Sequence, residues 1–357
     1  MNIIQAKTLA KLQATTLLLT ALLPLCALAQ EANISAPNAL PEGGHNSERW
    51  GLSYENDLFV PGGRDQDYTY GISLSYSKAS LLAAASHTPL DHLNRLFHVT
   101  EKGHNGGIEV GFYGFTPEDI TQASPTPGDR PFSSLVYLST SAVQLNNHRD
   151  TVIRSQLTYG ILGLGVVGQV QTKTHELLNG DTPKGWDNQI SEGGEPTLRY
   201  SVSRQKLLNN TITHTEWRQT QTISVGYITE ASWGLSFRTG NLNSQWHTFN
   251  PELASYAESS ANIHKSCSEW FFWGGVSIKT RAYNVFLQGQ FKNSALTYNS
   301  NELNHLIVEG WLGFTKAFAN GYYASYGLRG HTSEVKAGVG NRSVLWGGFL
   351  LGKRLEL

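Results

Sequence analysis

Hydrophobic and polar residues alternate along much of this chain. In residues 50–54 and 223–227 every second side chain is apolar and the residues between them are small or polar. Alternation of this kind predicts β-strands with one apolar and one polar face. We count about twelve such segments, each near the length of a barrel strand and separated by polar turns. The others lie near residues 70–78, 106–113, 133–145, 152–168, 196–205, 231–238, 269–280, 284–288, 306–318, 321–330 and 344–357.

Composition favours a closed barrel over other all-β folds. Charged residues make up 15 % of the chain, against roughly 25 % in an average soluble protein. Gly and aromatic residues replace them, and several aromatics are expected near strand ends, namely Trp270, Phe271, Phe272, Trp273, Tyr322, Tyr323 and Trp346. A soluble β-sandwich gives a similar alternation, but it explains neither the low charge nor export. We therefore predict an all-β, transmembrane antiparallel β-barrel of about 12 strands over residues 48–357, with long extracellular loops.

The N-terminus indicates export. Residues 1–29 contain Lys7 and Lys11, then an apolar run, and end in Ala27-Leu28-Ala29, which is typical of a secretory signal peptide. Leu25 precedes Cys26, where a lipobox needs a small residue, so ordinary cleavage is favoured. Residues 30–47 read as a flexible lead-in. Outer-membrane localisation in a Gram-negative bacterium follows. The net charge of −1 shows no basic excess for nucleic acid.

No later stretch of 18 or more apolar residues follows the signal, which excludes a helical membrane bundle. Removing the signal would leave Cys267 as the one cysteine, so no internal disulfide is expected and this thiol reads as incidental.

Four segments carry more polar groups than a plain barrel wall requires, and together they resemble a known family. They are residues 54–59, 65–71, 116–133 and 169–190. The specific motifs are Glu55-Asn56-Asp57, Asp67-Tyr68-Thr69-x-Gly71, Gly128-Asp129-Arg130, and Gln171-x-x-x-His175 followed by Gly185-Trp186-Asp187-x-Gln189. In this order the motifs resemble the outer-membrane lipid A 3′-O-deacylases, from about Trp50 to Gln189 and more weakly beyond.

The resemblance implies a twelve-stranded outer-membrane barrel with a Ca²⁺-dependent site near the outer leaflet. The implied reaction is hydrolysis of the ester that holds the 3′ acyloxyacyl group of lipid A, the lipid anchor of lipopolysaccharide. His175, on a short helix or loop, matches the family's catalytic histidine, and Asn56, Asp57 and Thr69 match its polar active-site cluster. Asp181 stands where the family has Glu.

The resemblance also suggests residues that contact substrate. Gln171 matches a family Gln, and we place Arg130 with it as a candidate substrate-binding residue, although Asp129-Arg130 also fits a structural ion pair. A Lys-Arg pair that the family can carry after Thr116-Pro117 is replaced here by uncharged residues at 120–122.

The residue types support the same chemistry independently. Ester hydrolysis needs a base for water, and the unperturbed pKa of His lies near neutrality. It also needs positive charge at the developing oxyanion, which Ca²⁺ held by hard oxygens of Asp57 and Thr69 would supply. Asn56 or Asp181 could orient His175. No Gly-x-Ser-x-Gly elbow occurs, so Ser133 and Ser134 are weaker nucleophile candidates.

Each residue also has a structural interpretation. Asp57 could cap a hairpin, Thr69 is a good strand former, and Trp186 fits a packing aromatic. Two functional alternatives remain open as well. One is a phospholipase or other esterase on the same barrel, suggested by the missing cations at 120–122. The other is a non-catalytic porin or structural barrel.

Overall fold

The computed structural model describes residues 48–60, 67–78, 81, 88–99, 103–208, 214–250 and 268–355. The predicted signal peptide, the lead-in and Cys267 lie outside these ranges. Twelve strands form the fold: β1 Glu48–Asn56, β2 Asp67–Lys78, β3 Gly103–Thr116, β4 Ser133–Leu145, β5 Thr151–Leu162, β6 Glu195–Leu207, β7 Thr215–Gly226, β8 Ile228–Asn241, β9 Glu269–Asn284, β10 Leu306–Ala317, β11 Tyr322–His331 and β12 Val344–Leu355.

The strands form one closed antiparallel barrel, as the alternation predicted. Each strand pairs with its neighbours in sequence, and β1 closes the sheet by pairing with β12 from Glu48↔Leu355 to Asn56↔Gly347. Closure leaves no sheet edge unpaired, which is what a wall surrounded by lipid requires. The chain enters β1 at one end of the barrel. We call the opposite end, where β1 finishes at Asn56, the loop end.

Strand β10 illustrates how the two faces of the wall differ. Leu306, Val308 and Leu312 are exposed on the outside, whereas Glu309 and Trp311 are buried on the inside. Because side chains alternate along a strand, the outside is apolar and the lumen carries the polar and charged groups. Within the ranges given above, no helix is both long and apolar enough to cross a membrane.

In the described part of the chain the α-helices with full bounds are α1 Pro89–Leu96, α2 Gly165–Leu178 and α3 Val285–Gln288, and the short 3-10 helices there are η1 Asp57–Phe59, η2 Trp186–Asn188, η3 Trp246–Thr248 and η4 Ser300–Glu302. Two of the predicted strand segments were wrong at these places. Residues 284–288 form α3, which Asn284 caps by accepting a hydrogen bond from the Phe286 amide. Three buried apolar residues in a row fit a buried helical turn as well as a strand.

The predicted strand 152–168 was also too long. Strand β5 ends at Leu162, Gly163 adopts a positive φ of 67°, and α2 begins at Gly165. A Cβ at residue 163 would lie 2.1 Å from the Ser191 carbonyl oxygen, so the chain turns at a position that only glycine can occupy.

Folded-in segments fill both ends of the lumen. At the loop end α3 inserts Phe286 into an aromatic cluster contributed by walls on several sides of the barrel. Its members are Tyr68, Tyr113, Phe115, Leu135, Tyr137, Leu162, Tyr227, Ile228, Val285, Phe286, Val344 and Trp346. At the other end residues 242–250 enter the lumen, where Arg154 donates to the His247 carbonyl oxygen at 3.0 Å and Arg218 donates to that of Phe249.

The aromatics expected near strand ends divide between the two faces. Trp270, Phe272 and Tyr322 are exposed on the outside of the barrel. Their neighbours Phe271, Trp273, Tyr323 and Trp346 are buried within it. The first group fits an interfacial girdle, and the second packs the lumen.

Candidate active site

One row of residues crosses the outer wall near the loop end. Register places Gly347, Asn56, Tyr70, Gly114 and Ser134 opposite one another on five neighbouring strands, β12, β1, β2, β3 and β4. On each strand the same face continues to an exposed apolar residue: Phe349, Leu52, Leu74, Val110 and Leu138. The row therefore belongs to the outward face of the barrel, on the side of the membrane lipid.

Two segments cover this row. Each of them packs over a glycine, whose missing side chain leaves room for it. Helix η1 lies over β12, where a Cβ at Gly347 would be 2.7 Å from Phe59 Cβ. Helix α2 and the η2 segment lie over β3, where a Cβ at Gly114 would be 3.1 Å from both Trp186 and Val167. Gly347 and Gly114 are three strand spacings apart, or about 15 Å. The outward residues of β1 and β2 form the floor between the two coverings.

Asn56 and Asp57 lie at the η1 side of this recess. Asn56 Oδ1 accepts a hydrogen bond from the Leu58 amide at 2.6 Å, so Asn56 is the residue that caps the turn. The Asp57 side chain is fully buried, with 0 % of the residue exposed. The hairpin-cap interpretation therefore applies to Asn56 and not to Asp57, whose carboxylate is buried.

Thr69 lies on the floor, at a bulge in β2. Tyr68 pairs with Phe115 and Tyr70 with Gly114, so Thr69 is the extra residue of the bulge. Its hydroxyl oxygen is 2.6 Å from that of Thr116. The bulge separates two tyrosines that simple alternation would put on one face. Tyr68 packs in the lumen, and Tyr70 points outward and donates to the Val167 carbonyl oxygen of α2.

Gln171 lies one helical turn beyond Val167 on the buried side of α2. Its Oε1 accepts a hydrogen bond from the Trp186 indole at 2.8 Å. Only 2 % of the residue is exposed, and its Nε2 has no hydrogen-bond partner in the described part of the chain. A buried amide nitrogen of this kind costs free energy unless a ligand or water accepts from it.

His175 follows one turn later and is held from the end of the helix. Asn179 adopts a left-handed conformation, φ 56°, and this turn brings the Asp181 carbonyl oxygen to 2.6 Å from His175 Nδ1. A carbonyl oxygen can only accept, so in the neutral ring Nδ1 carries the proton and Nε2 is the basic nitrogen. The residue expected to orient His175 does so through its main chain, while its carboxylate is exposed.

A cleft of about 370 Å³ opens on the flank of α2, between that helix and residues 183–192. Lys173 and Lys184 line it, together with Trp186 and the acidic Glu176, Asp187 and Glu192. Residues 120–122 carry no cation, but the Lys184 amide bonds to the Ile120 carbonyl oxygen at 2.9 Å. Lysine charge is therefore present beside the segment where the sequence lacks it.

Arg130 and Ser133 lie away from the outer recess. The Arg130 guanidinium is buried at the loop end of the lumen, 4.9 Å above the Phe115 ring and paired with Glu334. Ser133 pairs with Phe115 on the lumen face, whereas the Ser134 hydroxyl donates to Gln189 at 2.7 Å on the outer face. Arg130 thus has the contacts of a structural ion pair.

The predicted residues fall into two groups on one stretch of the outer wall. Asn56, Asp57 and Thr69 lie where β1 ends and β2 begins, and Gln171 and His175 lie on α2. Contact between the wall and the helix runs through Tyr70, Gly114 and Val167. Sequence reasoning missed Tyr70, Gly114 and Gly347. Glycine at outward strand positions was the available signal, since such positions normally hold apolar side chains.

The oxygen donors near η1 and the start of β2 are of the kinds that calcium binds. Among the residues that the structure describes, no group of three or more His, Cys, Asp or Glu side chains is placed to share a metal ion. Calcium also accepts hydroxyl and main-chain carbonyl oxygens, so one carboxylate with neutral oxygens fits its chemistry. Asp57 and Thr69 supply oxygens of these two kinds.

The chain is similar to known outer-membrane proteins in sequence and in structure. Residues 14–353 match the family model described as outer membrane protein LpxR. The structure is similar to LpxR from Salmonella typhimurium, with a TM-score of 0.67 and 17 % identity over 86 % of this chain and all of that one.

Other barrels are more distant. The β-domain of the Bordetella autotransporter BrkA matches with a TM-score of 0.41 and 9 % identity over 87 % of this chain and 100 % of that one. An outer membrane channel from Pseudomonas putida F1 matches with a TM-score of 0.41 and 8 % identity over 91 % of this chain and 100 % of that one. A sequence search of curated proteins finds no match.

Proposed function

Because the chain belongs to the LpxR family of outer membrane proteins, we propose that it is a lipid A deacylase that hydrolyses the 3′-linked acyloxyacyl ester, with His175 activating water and Ca²⁺ assisting. The observation that carries the proposal is the position of α2. This helix brings Gln171 and His175 to the outward face of the wall, which a lipid of the surrounding leaflet can reach. A site in the lumen would serve a water-soluble substrate instead.

The role of His175 follows from its hydrogen bond. With Nδ1 protonated and bound to the Asp181 carbonyl oxygen, Nε2 is the atom that takes a proton from the attacking water. The main-chain bond holds the ring in this tautomer and stabilises the imidazolium that forms. The proton on Nε2 then passes to the departing alkoxide of the sugar, which completes the hydrolysis.

Calcium would be held at the other side of the recess. Asp57 would supply the carboxylate and Thr69 a neutral oxygen. Bound there, the ion supplies positive charge for the oxyanion that develops on the ester carbonyl. Gln171 is suited to binding substrate, since its buried Nε2 can donate to a carbonyl or hydroxyl oxygen of the lipid.

The lumen argues against the porin alternative. The aromatic cluster around Phe286 contains residues of strands β2, β3, β4 and β5, of the β7–β8 turn and of β12, and so it extends across the loop end. Residues 242–250 occupy the other end. A barrel filled at both ends has no wide water channel. The porin alternative therefore requires α3 and residues 242–250 to move out of the lumen.

A phospholipase remains the second candidate, because residues 120–122 are uncharged. Lys173 and Lys184 of the α2 cleft are candidate partners for the phosphates of lipid A. Because Glu176, Asp187 and Glu192 line the same cleft, its net charge does not distinguish the two substrates.

Lipid A mass spectrometry tests the proposal. Cells with hexa-acylated lipid A would express the wild-type chain, His175→Ala, or Gly310→Ala as an outward-facing control far from the recess. We expect loss of one acyloxyacyl group with the wild type and the control, and none with His175→Ala. Purified protein would then be assayed on lipopolysaccharide and on phospholipid vesicles, with calcium and with a chelator.

Each outcome has a distinct meaning. Release of fatty acid from phospholipid alone would replace the proposal by the phospholipase alternative. Unchanged lipid A and phospholipid in the presence of calcium, with the barrel folded, would refute an esterase altogether. Full activity in the presence of the chelator would refute the role of calcium and would leave the proposed role of His175 standing.

A further inference from the structure

We propose that Arg342, on the connection between β11 and β12, is a positioning residue that sets the shape of β2 at the active-site floor by clamping Asp67. Arg342 Nε donates to Asp67 Oδ2 at 3.0 Å, and its Nη2 lies 3.0 Å from Oδ1. Its Nη1 donates to Asp129 Oδ1 at 2.7 Å. One guanidinium therefore ties the start of β2 to the β3–β4 connection.

Asp67 needs such a clamp because of its backbone. Its φ is 72°, in the left-handed region that residues with a Cβ seldom adopt. Conformations of this kind persist where the surroundings over-determine them. Here the carboxylate is 3 % exposed and is approached by two guanidinium groups, since Arg130 Nε is 3.5 Å from Oδ1.

The conformation of Asp67 matters because the β2 bulge follows immediately. Without the bulge, Tyr68 and Tyr70 would point to the same side of the wall. With it, Tyr68 enters the lumen and donates to Glu55 Oε2 at 2.6 Å, while Tyr70 points outward to α2. Thr69, between them, takes the place that brings its hydroxyl to Thr116. The clamp thus decides which face carries Tyr70 and where Thr69 lies.

The clamp and the site are on different parts of the chain, which makes the inference testable apart from catalysis. Within the described residues, the hydrogen bonds and ion pairs of the Arg342 side chain go to Asp67, Glu118, Asp129 and Val339 and none goes to α2, and Arg342 is not among the groups proposed to meet substrate. Its expected effect on turnover rests on the proposed function. Its expected effect on the backbone of residues 67–70 does not.

The test compares Arg342→Gln and Arg342→Lys with a matched control. Arg238→Gln is that control, because Arg238 makes the same bidentate pair with Glu216, at 2.9 Å from both Nε and Nη2, toward the other end of the barrel. Folding of each variant would be verified by heat-modifiable migration. Hydrogen exchange of residues 67–70 and steady-state kinetics on purified lipopolysaccharide would then be measured.

We expect Arg342→Gln to speed exchange at residues 67–70 and to lower kcat about tenfold or more with little change in KM, because a displacement of about 1 Å can cost 10²-fold in rate. Arg342→Lys, which keeps the charge without the fork, should fall between Gln and wild type. Arg238→Gln should change neither reading.

Two results would overturn the inference. One is unchanged exchange at residues 67–70 in Arg342→Gln, whatever the activity. The other is a fall in activity that matches the loss of folded barrel, with kcat per folded molecule unchanged. If the wild type does not cleave lipid A at all, the proposed function fails, and faster exchange in Arg342→Gln still supports the clamp.

Discussion

Docking of α2 on the barrel wall is the feature on which the proposed active site most depends, and Gly114 controls it. A Cβ at this position would lie 3.1 Å from Trp186 Cη2 and 3.1 Å from Val167 Cγ1. Carbon atoms in ordinary contact are about 3.5–4.0 Å apart, so alanine requires a shift of roughly half an ångström. Gly114 does not have a positive φ, so the substitution adds crowding without backbone strain.

Valine in place of Gly114 adds two methyl groups where alanine already crowds. We expect α2 and the η2 segment to move outward by about 1 Å, which corresponds to a loss of about 10²-fold in deacylation rate. Overpacking of this size costs about 1–3 kcal/mol, and valine is a good strand residue, so the barrel should still form. Gly114→Ala should lose less activity than Gly114→Val.

The assay is deacylation of lipopolysaccharide by purified, folded variants, with folding followed by heat-modifiable migration. Gly310→Val is the control, because Gly310 also faces outward and the nearest atom to an added Cβ is the Gly275 carbonyl oxygen at 3.8 Å. We expect this variant to match the wild type. Full activity in folded Gly114→Val would refute the reasoning, since it would mean that α2 need not lie against β3.

Three further predictions concern single groups. His175→Ala should lower the deacylation rate by about 10²–10⁴-fold, the usual contribution of a general base. Asp181→Ala should keep most of the wild-type rate, because the main-chain carbonyl oxygen that bonds to His175 remains. A large loss of rate in Asp181→Ala would assign a role to the carboxylate. Replacing both Lys173 and Lys184 by Gln should lower turnover of bisphosphorylated relative to monophosphorylated lipid A about tenfold, the value of one charge-assisted hydrogen bond, and an unchanged ratio would show that the cleft does not bind phosphate. Burial alone would raise the pKa of the Glu334 carboxyl, but the charges of neighbouring arginines hold it well below its ordinary value of 4.5, so its contribution to stability is present above pH 4.5 and is lost as the pH falls below it. Protection of residues 332–343 against hydrogen exchange, corrected for the intrinsic pH dependence of exchange, should therefore fall in acid in the wild type and fall less in Glu334→Gln; an equal fall in both would contradict this.

The sequence by itself determined the barrel. Alternation is a local property, because successive side chains of a strand point to opposite faces whatever the strand pairs with. The twelve strands and their closure could therefore be predicted, and the motifs around Asn56, Asp57, Thr69 and His175 could be recognised. Alternation over the five residues 284–288 was too short to distinguish α3 from a strand.

Only the tertiary structure decided how the site is built. Tyr68 and Tyr70 have the same spacing as any two residues on one face of a strand. The bulge at Thr69 turns their side chains to opposite faces, and we attribute the bulge to the hold of Arg342, an arginine far along the chain, on Asp67. Gly114 and Gly347 appear ordinary until two segments are seen to pack on them from outside. Such contacts join residues that are distant in sequence, so no local pattern contains them. For that reason the structure places the candidate site in an outer recess on the lipid side, and alternation alone could not have distinguished this recess from the lumen.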